Sequence, residues 1–387
     1  MKLLVFEPME GGHQAVYARH LLDGWARRGP CDELVLAARP SVLNAVRAPL
    51  AAAGATAAPL GPRDVAPPGA GLANALGRGR MGALRRLAAE HRPDHVLAMS
   101  FEYLGGPLAR RARLPRRPAL SALAFHTGAD VPRTLRARLR DELLRSALRH
   151  PDIRTLYTVD PSAPPRMRAL GAQAEVVAVP DPIPDALPVP PAGETRAAWG
   201  VEPGRRLAVL LGTLDGRKGS AVLLDALTRL DDATARRLAV VMAGRVADPV
   251  REAVSRGVGR VRDRTAVQLV HRPGFVSDAD LAALTAAADL ALLPYVGQIG
   301  SSGFLMAAAA AGTPVLTQDT GLMAWLTRTH GLGQTVDTGS PEAVARQLAA
   351  AVAAPRAGFR AEGAAALAAA HTPAAFASAL LDPILGP

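Results

Sequence analysis

Apolar runs that stop at a turn and give way to a helix recur along this 387-residue chain, and this alternation limits the fold more than any other feature. Residues 3–6 read Leu-Leu-Val-Phe, then come Glu10, Gly11, Gly12 and His13, and Val16, Leu21, Leu22 and Trp25 recur at helical spacing. Further strand-like runs lie at 33–36, 95–99, 120–125 and 155–159, separated by stretches rich in Ala, Leu and Arg. Strands buried on both faces read as unbroken apolar runs, and a strand that rejoins its sheet in parallel needs a helical crossover. The expectation is an α/β fold with a doubly wound parallel sheet.

Prolines at 180, 182, 184, 188, 190 and 191 interrupt the pattern, and we read a linker over 181–204. The alternation then restarts, with strands expected at 207–211, 239–243, 267–271, 290–293, 314–317 and 334–336 and a helix over 222–230. Two Rossmann-like domains facing a cleft follow, over 1–180 and 205–359. An Ala-rich, helical segment at 360–387 is expected to cross back to the first domain.

Composition narrows the function classes. Hydrophobic residues at 49% and charged residues at 20% suffice for two packed cores, and aromatics at 4% mean that Ala, Leu and Val must build them. The net charge of +11 invites a polyanion as partner. Yet Lys2 and Lys218 are the only lysines among 45 basic residues, so the arginine excess is chain-wide, and no basic stretch carries the aromatics on which bases stack. Nucleic acid is therefore not an expected partner. Arg136, Arg140 and Arg145 flank the leucines of 133–150, an arrangement that can rest on an anionic membrane, although a sheet-covering helix with a solvated arginine face is the weightier reading. Cys31 stands alone, which excludes an internal disulfide and a cysteine-rich zinc site. No run reaches the roughly 20 apolar residues of a membrane span, and the N-terminus lacks a signal-peptide core, so a cytoplasmic location is expected.

The densest chemistry follows the run 207–211: Gly212, Thr213, Leu214, Asp215, Gly216, Arg217, Lys218 and Gly219. A glycine-rich turn before a helix turns backbone N–H groups toward an anion, and Lys218 adds a compact cation. The spacing is not that of a P-loop. A second such turn follows 290–293, where Gln298, Gly300, Ser301, Ser302 and Gly303 precede a helix expected over 304–311. Open parallel sheets bind ligands where strands end, so both turns are expected at one crevice.

In order, the segments LLGTLDGRKGSAVLLDAL, VVMAGR, HRPGFVSDADLAALTAAADLALLPY and GSSGFLMAAAAAGTPVLTQDTGLMAWL resemble the donor domain of GT-B glycosyltransferases, in particular retaining family 4. The resemblance spans about 205–345, with looser support from Gly11-Gly12-His13 and Phe125-His126. It implies that Lys218 and Gly12 contact the diphosphate of a nucleoside-diphosphate sugar, and that the amides of 300–303 serve the sugar and phosphate. It also implies a catalytic histidine at His126 beside the reacting sugar, a role that competes with a purely structural one. The family's two glutamates, eight positions apart, fall on Ile299 and Ala307, so both carboxylates are missing. Gln298 is the candidate to cover part of the first role. Thr213 stands where an arginine often follows the glycine, which leaves Arg217 as its substitute.

Asp278 and Asp280 match a metal-binding DxD by letters, but Ser277 reads as a helix N-cap with both aspartates in the first turn, so no metal ligand is expected. His13, Glu102 and Asp130 are candidates for a small-molecule or glycan acceptor. No GxSxG elbow and no GxGxxG after the first strand appear, which disfavours a hydrolase triad and a nicotinamide enzyme. The expected activity is glycosyl transfer from a nucleoside diphosphate, with retention, without metal and without a further cofactor. The rival expectation is a non-catalytic nucleotide-binding or partner protein of the same fold that lost the donor-site glutamates.

Overall fold

The computed structural model describes residues 1–10, 14–29, 32–65, 77–125, 142, 145–183, 185–298 and 300–386. The chain divides into two compact units: Met1–Pro182 with Thr372–Pro387, and Ile183–His371. Each is a parallel sheet between helices.

In the first unit the strands are β1 (Lys2–Glu7), β2 (Glu33–Ala38), β3 (Thr56–Pro59), β4 (His95–Ala98), β5 (Ala119–Ala124), β6 (Ile153–Thr158) and β7 (Glu175–Ala178). Their order across the sheet is β3-β2-β1-β4-β5-β6-β7, and all pairs are parallel. Alternate residues of β1 feed opposite faces: Leu4 and Phe6 join one core with Leu84 and Met167, while Leu3 and Val5 join the other with Leu21 and Trp25. That is why the strand reads as a continuous apolar run. Helices α1 (Gln14–Arg28), α2 (Pro40–Ala45), α3 (Arg47–Ala52), α4 (Arg78–His91), α5 (Gly105–Ala109) and α6 (Ala163–Ala169) belong to this unit.

The second unit orders its strands β10-β9-β8-β11-β12-β13, again all parallel. They are β8 (Arg206–Leu211), β9 (Leu238–Gly244), β10 (Gln268–Pro273), β11 (Leu290–Leu293), β12 (Val315–Gln318) and β13 (Gly333–Val336). Its helices are α7 (Ala192–Ala198), α8 (Ser220–Leu227), α9 (Asp232–Arg237), α10 (Asp248–Arg264), α11 (Asp278–Ala287), α12 (Gly303–Ala310), α13 (Gly321–His330), α14 (Pro341–Ala353) and α15 (Ala361–Ala370). Leu207, Val209 and Leu211 pack on one side of β8 and Ala208 and Leu210 on the other.

Three local differences from the sequence reading have physical causes. The edge strands β3 and β7 were not anticipated: Thr-Ala-Ala-Pro has little strand character, and each becomes a strand by pairing with β2 and β6 respectively. The proline-rich stretch contains α7, whose Arg196 donates to the Ala287 carbonyl at 2.7 Å and pairs with Asp289 at 3.0 Å, tying it to the second unit. The Ala-rich tail is two helices, because Thr372 caps a new one, α16 (Pro373–Leu385), through the N–H of Ala375. Helix α16 lies in the first unit, where Phe376, Leu380 and Leu381 join the core of Leu21 and Trp25. No single helix among the described residues is long and apolar enough to cross a membrane.

Candidate functional site

In the second unit the strand order reverses between β8 and β11, which pair directly, so the crevice at their C-terminal ends is the place where such sheets bind ligands. Beyond Leu211 the chain turns through Gly212 at φ +97°, and Gly212 N–H donates to the Ala243 carbonyl at 3.0 Å. A side chain on Gly244 would stand 1.8 Å from the Gly212 carbonyl oxygen, so only glycine permits this approach. The Asp215 carboxylate then accepts from the N–H groups of Arg217 and Lys218 at 3.0 and 3.2 Å and caps the short 3₁₀ turn Gly216–Lys218. The turn carries Lys218 back over the end of β8, where Nζ donates to the Leu211 carbonyl at 3.1 Å and to the Tyr295 hydroxyl.

Tyr295 lies just beyond β11, buried at 3% exposure, and its hydroxyl shares a hydrogen bond with Ser302 Oγ at 3.0 Å. Thr338 Oγ1 donates to the Tyr295 carbonyl at 2.6 Å, and Val296 N–H donates to the Arg217 carbonyl at 2.8 Å, which joins the two turns. Gln318, buried at the end of β12, clamps the second turn: its side chain donates to the carbonyls of Gln298 and Thr320 and accepts from Gln298 N–H at 3.2 Å. The Gln298 side chain in turn donates to the Ser301 carbonyl at 3.2 Å and accepts from Arg217 at 2.8 Å.

The two cations of the first turn have opposite settings. Arg217 is exposed and bound to the Asp215 carboxylate through Nε and NH2, at 3.2 and 2.9 Å. Lys218 is half-buried, and among the described residues no carboxylate lies within ion-pair distance of its ammonium. Beside it begins α12, whose first intrahelical bond is Met306 N–H to Ser302 carbonyl, so the amides of Gly303, Phe304 and Leu305 are left at the positive end of the helix. An ammonium with no carboxylate among the described residues, next to the amino end of a helix, attracts an anion with several oxygens.

The structure therefore brings Gly212, Thr213, Arg217, Lys218, Gln298, Gly300, Ser301, Ser302 and Gly303 to one strand-end edge, with Thr213 and Gly303 exposed. Gly12, His13, His126, Asp130 and Ile299 lie outside the described residues, as does most of 133–150. Ala307 is half-exposed on α12, one turn beyond Gly303. Ser277 caps α11 through Asp280 N–H at 3.0 Å, as its sequence suggested, and its hydroxyl donates to the Asp280 carboxylate at 2.7 Å. Among the described residues no three His, Cys, Asp or Glu side chains gather as a metal-binding group.

Sequence reasoning missed Tyr295, Gln318 and Phe275. Each follows or ends a strand at this edge, the same positional signal that marked Lys218 and the turn after 290–293. Phe275 follows β10 and Gly274, whose N–H donates to the Gly244 carbonyl at 3.1 Å, and at 92% exposure its ring meets almost nothing in the chain.

The first unit has an equivalent switch between β1 and β4, and Glu7 stands there, 2% exposed. Burial pushes its carboxyl up to about 7, against the opposing pull of hydrogen bonds from Met9 N–H at 2.9 Å and Ser100 Oγ at 3.1 Å. Glu102, on the turn after β4, accepts from Phe125 N–H and so ties β4 to β5. Because the folded carboxyl holds its proton more tightly than the unfolded one near 4.5, its contribution to stability is full below about pH 4.5 and is lost as pH rises through about 7. Glu7→Gln, which mimics the protonated acid, is expected to leave stability unchanged at pH 4.5 and to raise it by about 3 kcal/mol at pH 8. Urea unfolding at both pH values checks this, and an equal effect at each would rule out the titration.

A hollow of about 620 Å³ opens at the opposite end of the second sheet, among Arg206, Asp289, Thr313, Pro314 and Arg356. Strands begin there, and α12 and α14 point their C-terminal ends, with outward carbonyls, toward it. That polarity disfavours a phosphate there, which leaves the strand-end crevice as the candidate anion site.

Residues 205–354 match the family glycosyl transferases group 1. No curated protein sequence matches the chain. Among solved structures, HepE of Anabaena with UDP and glucose aligns with a TM-score of 0.67 at 14% identity, covering 99% of each chain. WaaG, a glycosyltransferase involved in lipopolysaccharide biosynthesis, aligns at 0.66 and 18% identity over 100% of both chains. The N-terminal domain of a trehalose-6-phosphate phosphatase from Candida albicans aligns at 0.72 and 14%, covering 99% of this chain and 96% of that one. The fold is GT-B. Within the GT-B fold, the family match covers β8 to the end of α14 and so contains every residue of the strand-end site just described.

Proposed function

We propose that the chain is a glycosyltransferase that takes a sugar from a nucleoside diphosphate bound at the C-terminal ends of β8 and β11. The observation that carries the reading is the half-buried Lys218 ammonium, held by a carbonyl and a phenol and lacking a carboxylate among the described residues, beside the amino end of α12. The group 1 match over 205–354 and the UDP seen with HepE support the donor class. On this reading Lys218 and the α12 amides stabilise the charge that grows on the departing diphosphate, and no side-chain nucleophile or metal is required. Retention of configuration belongs to the same reading, by resemblance to family 4. The acceptor, a small molecule or glycan, takes its contacts from His13, Glu102 and Asp130, with His126 beside the reacting sugar by the same resemblance.

The donor base fits Phe275. Strands lie about 4.8 Å apart, so the end of β10 stands roughly 10 Å from that of β8, close to the reach from a diphosphate to its base. Stacking on an aromatic ring is worth about 1–3 kcal/mol per base. Phe275→Ala is therefore expected to weaken a nucleoside diphosphate about tenfold while leaving inorganic pyrophosphate unaffected, measured by calorimetry. Equal losses for both ligands would remove Phe275 from the base site.

Ala307 in place of a glutamate favours one second reading, a nucleotide-binding protein of this fold without transfer activity. A screen of nucleotide sugars by thermal shift tests the donor site, since a ligand that binds the folded state raises stability by mass action. Incubation of the responding donor with glycan acceptors then separates the two: binding without consumption of donor supports the second reading, and no shift from any nucleoside diphosphate overturns both.

A further inference from the structure

We propose that Tyr295 is a positioning residue that sets the direction of the hydrogen bonds running from Lys218 to Ser302 in the anion site. This rests on the donor-site reading and gives Tyr295, the last residue of one of the quoted segments, a part that the resemblance did not assign to it. A lysine ammonium can only donate. Nζ of Lys218 gives one N–H to the Leu211 carbonyl and one to the Tyr295 hydroxyl, which must accept it. The phenol's own hydrogen is then directed to its second neighbour, Ser302 Oγ, at 3.0 Å. Ser302 consequently accepts from Tyr295, and its hydroxyl hydrogen is left over.

The outcome is two donor hydrogens with no acceptor among the described residues, the third N–H of Lys218 and the O–H of Ser302, near the amino end of α12, whose Phe304 ring lies 5.8 Å from Lys218 Nζ. Both suit an anion with several oxygens, such as a diphosphate. Ser302 supports this in a second way. It occupies the N-cap position of α12, where a serine normally bonds its own helix, yet it makes no such bond and turns to Tyr295 instead. Tyr295 itself cannot swing away: its ring is buried, and its backbone is pinned by Thr338.

Tyr295→Phe keeps the buried ring and removes the hydroxyl. Lys218 then loses one of its two holds, and Ser302 becomes free to cap α12. We expect the affinity for inorganic pyrophosphate to fall about tenfold with an unchanged melting temperature. The loss should shrink in a Lys218→Ala background, where only the part that acts through Ser302 is left. A direct readout is available because the chain has only two lysines. Selective ¹³Cε-lysine labelling gives two side-chain signals, and Lys218→Arg assigns them. Tyr295→Phe should move the Lys218 signal in the ligand-free protein and leave Lys2 in place, and pyrophosphate should move the same signal in the wild type.

The proposal is overturned if Tyr295→Phe leaves the Lys218 signal and the pyrophosphate affinity as they were, or if it weakens pyrophosphate equally without Lys218. It is also overturned if pyrophosphate fails to move the wild-type signal. Should pyrophosphate bind with these dependences while no nucleoside diphosphate binds more tightly than pyrophosphate, the donor assignment fails and the role of Tyr295 stands.

Discussion

Lys218→Ala is expected to lower kcat/KM for the nucleotide sugar by about two to three orders of magnitude, the cost of removing one preorganised charge contact from a developing oxyanion. The loss should fall mainly on kcat if the ammonium meets charge that grows only as the diphosphate departs, and mainly on KM if it binds ground and transition states alike. Stability should hardly change, because the side chain is half-buried and water that fills the space it leaves can donate to the Leu211 carbonyl and the Tyr295 hydroxyl in its place. Arg217 does not substitute for it: its guanidinium is bound to Asp215 and Gln298. Steady-state kinetics with calorimetry of the nucleoside diphosphate decide the matter. A variant that binds the diphosphate as the wild type does would remove Lys218 from the site.

The second large effect concerns the backbone. Gly219 sits at φ +65°, and a Cβ there would stand 1.7 Å from the Pro294 carbonyl oxygen. Gly219→Ala must therefore push apart the two turns that Val296 N–H joins to the Arg217 carbonyl. Left-handed backbone costs an alanine about 1 kcal/mol, and displacing main chain adds several times that. We expect a loss of about 3–5 kcal/mol in urea unfolding, together with loss of diphosphate binding. Gly216→Ala is the control: its Cβ would meet nothing nearer than Val250 at 3.9 Å, and its φ is not positive. If both variants unfold alike, close approach is not what holds the turns together.

The same residues divide what was legible in one dimension from what was not. Lys218 could be singled out because the apolar run before it, the glycines around it and the helix after it are neighbours in sequence. Asp278 and Asp280 could be assigned to a helix start for the same reason: a capping box spans only a few residues. Tyr295, by contrast, acts on Lys218 across 77 residues, and nothing in Leu-Leu-Pro-Tyr states which strand will stand beside β8. Gln318 clamps Gln298 from a third strand, 20 residues on. Phe275 looked like one more apolar residue until its surroundings proved empty.

Sequence alone determined the parallel α/β architecture, the central strands and both glycine turns, since burial on two faces and turn geometry write themselves into local residue order. Tertiary structure alone decided the edge strands β3 and β7 and the hydrogen-bond partners of Lys218. Those depend on which segments become neighbours after the crossovers, and a contact of that kind is chosen by packing and by the satisfaction of buried polar groups over the whole sheet.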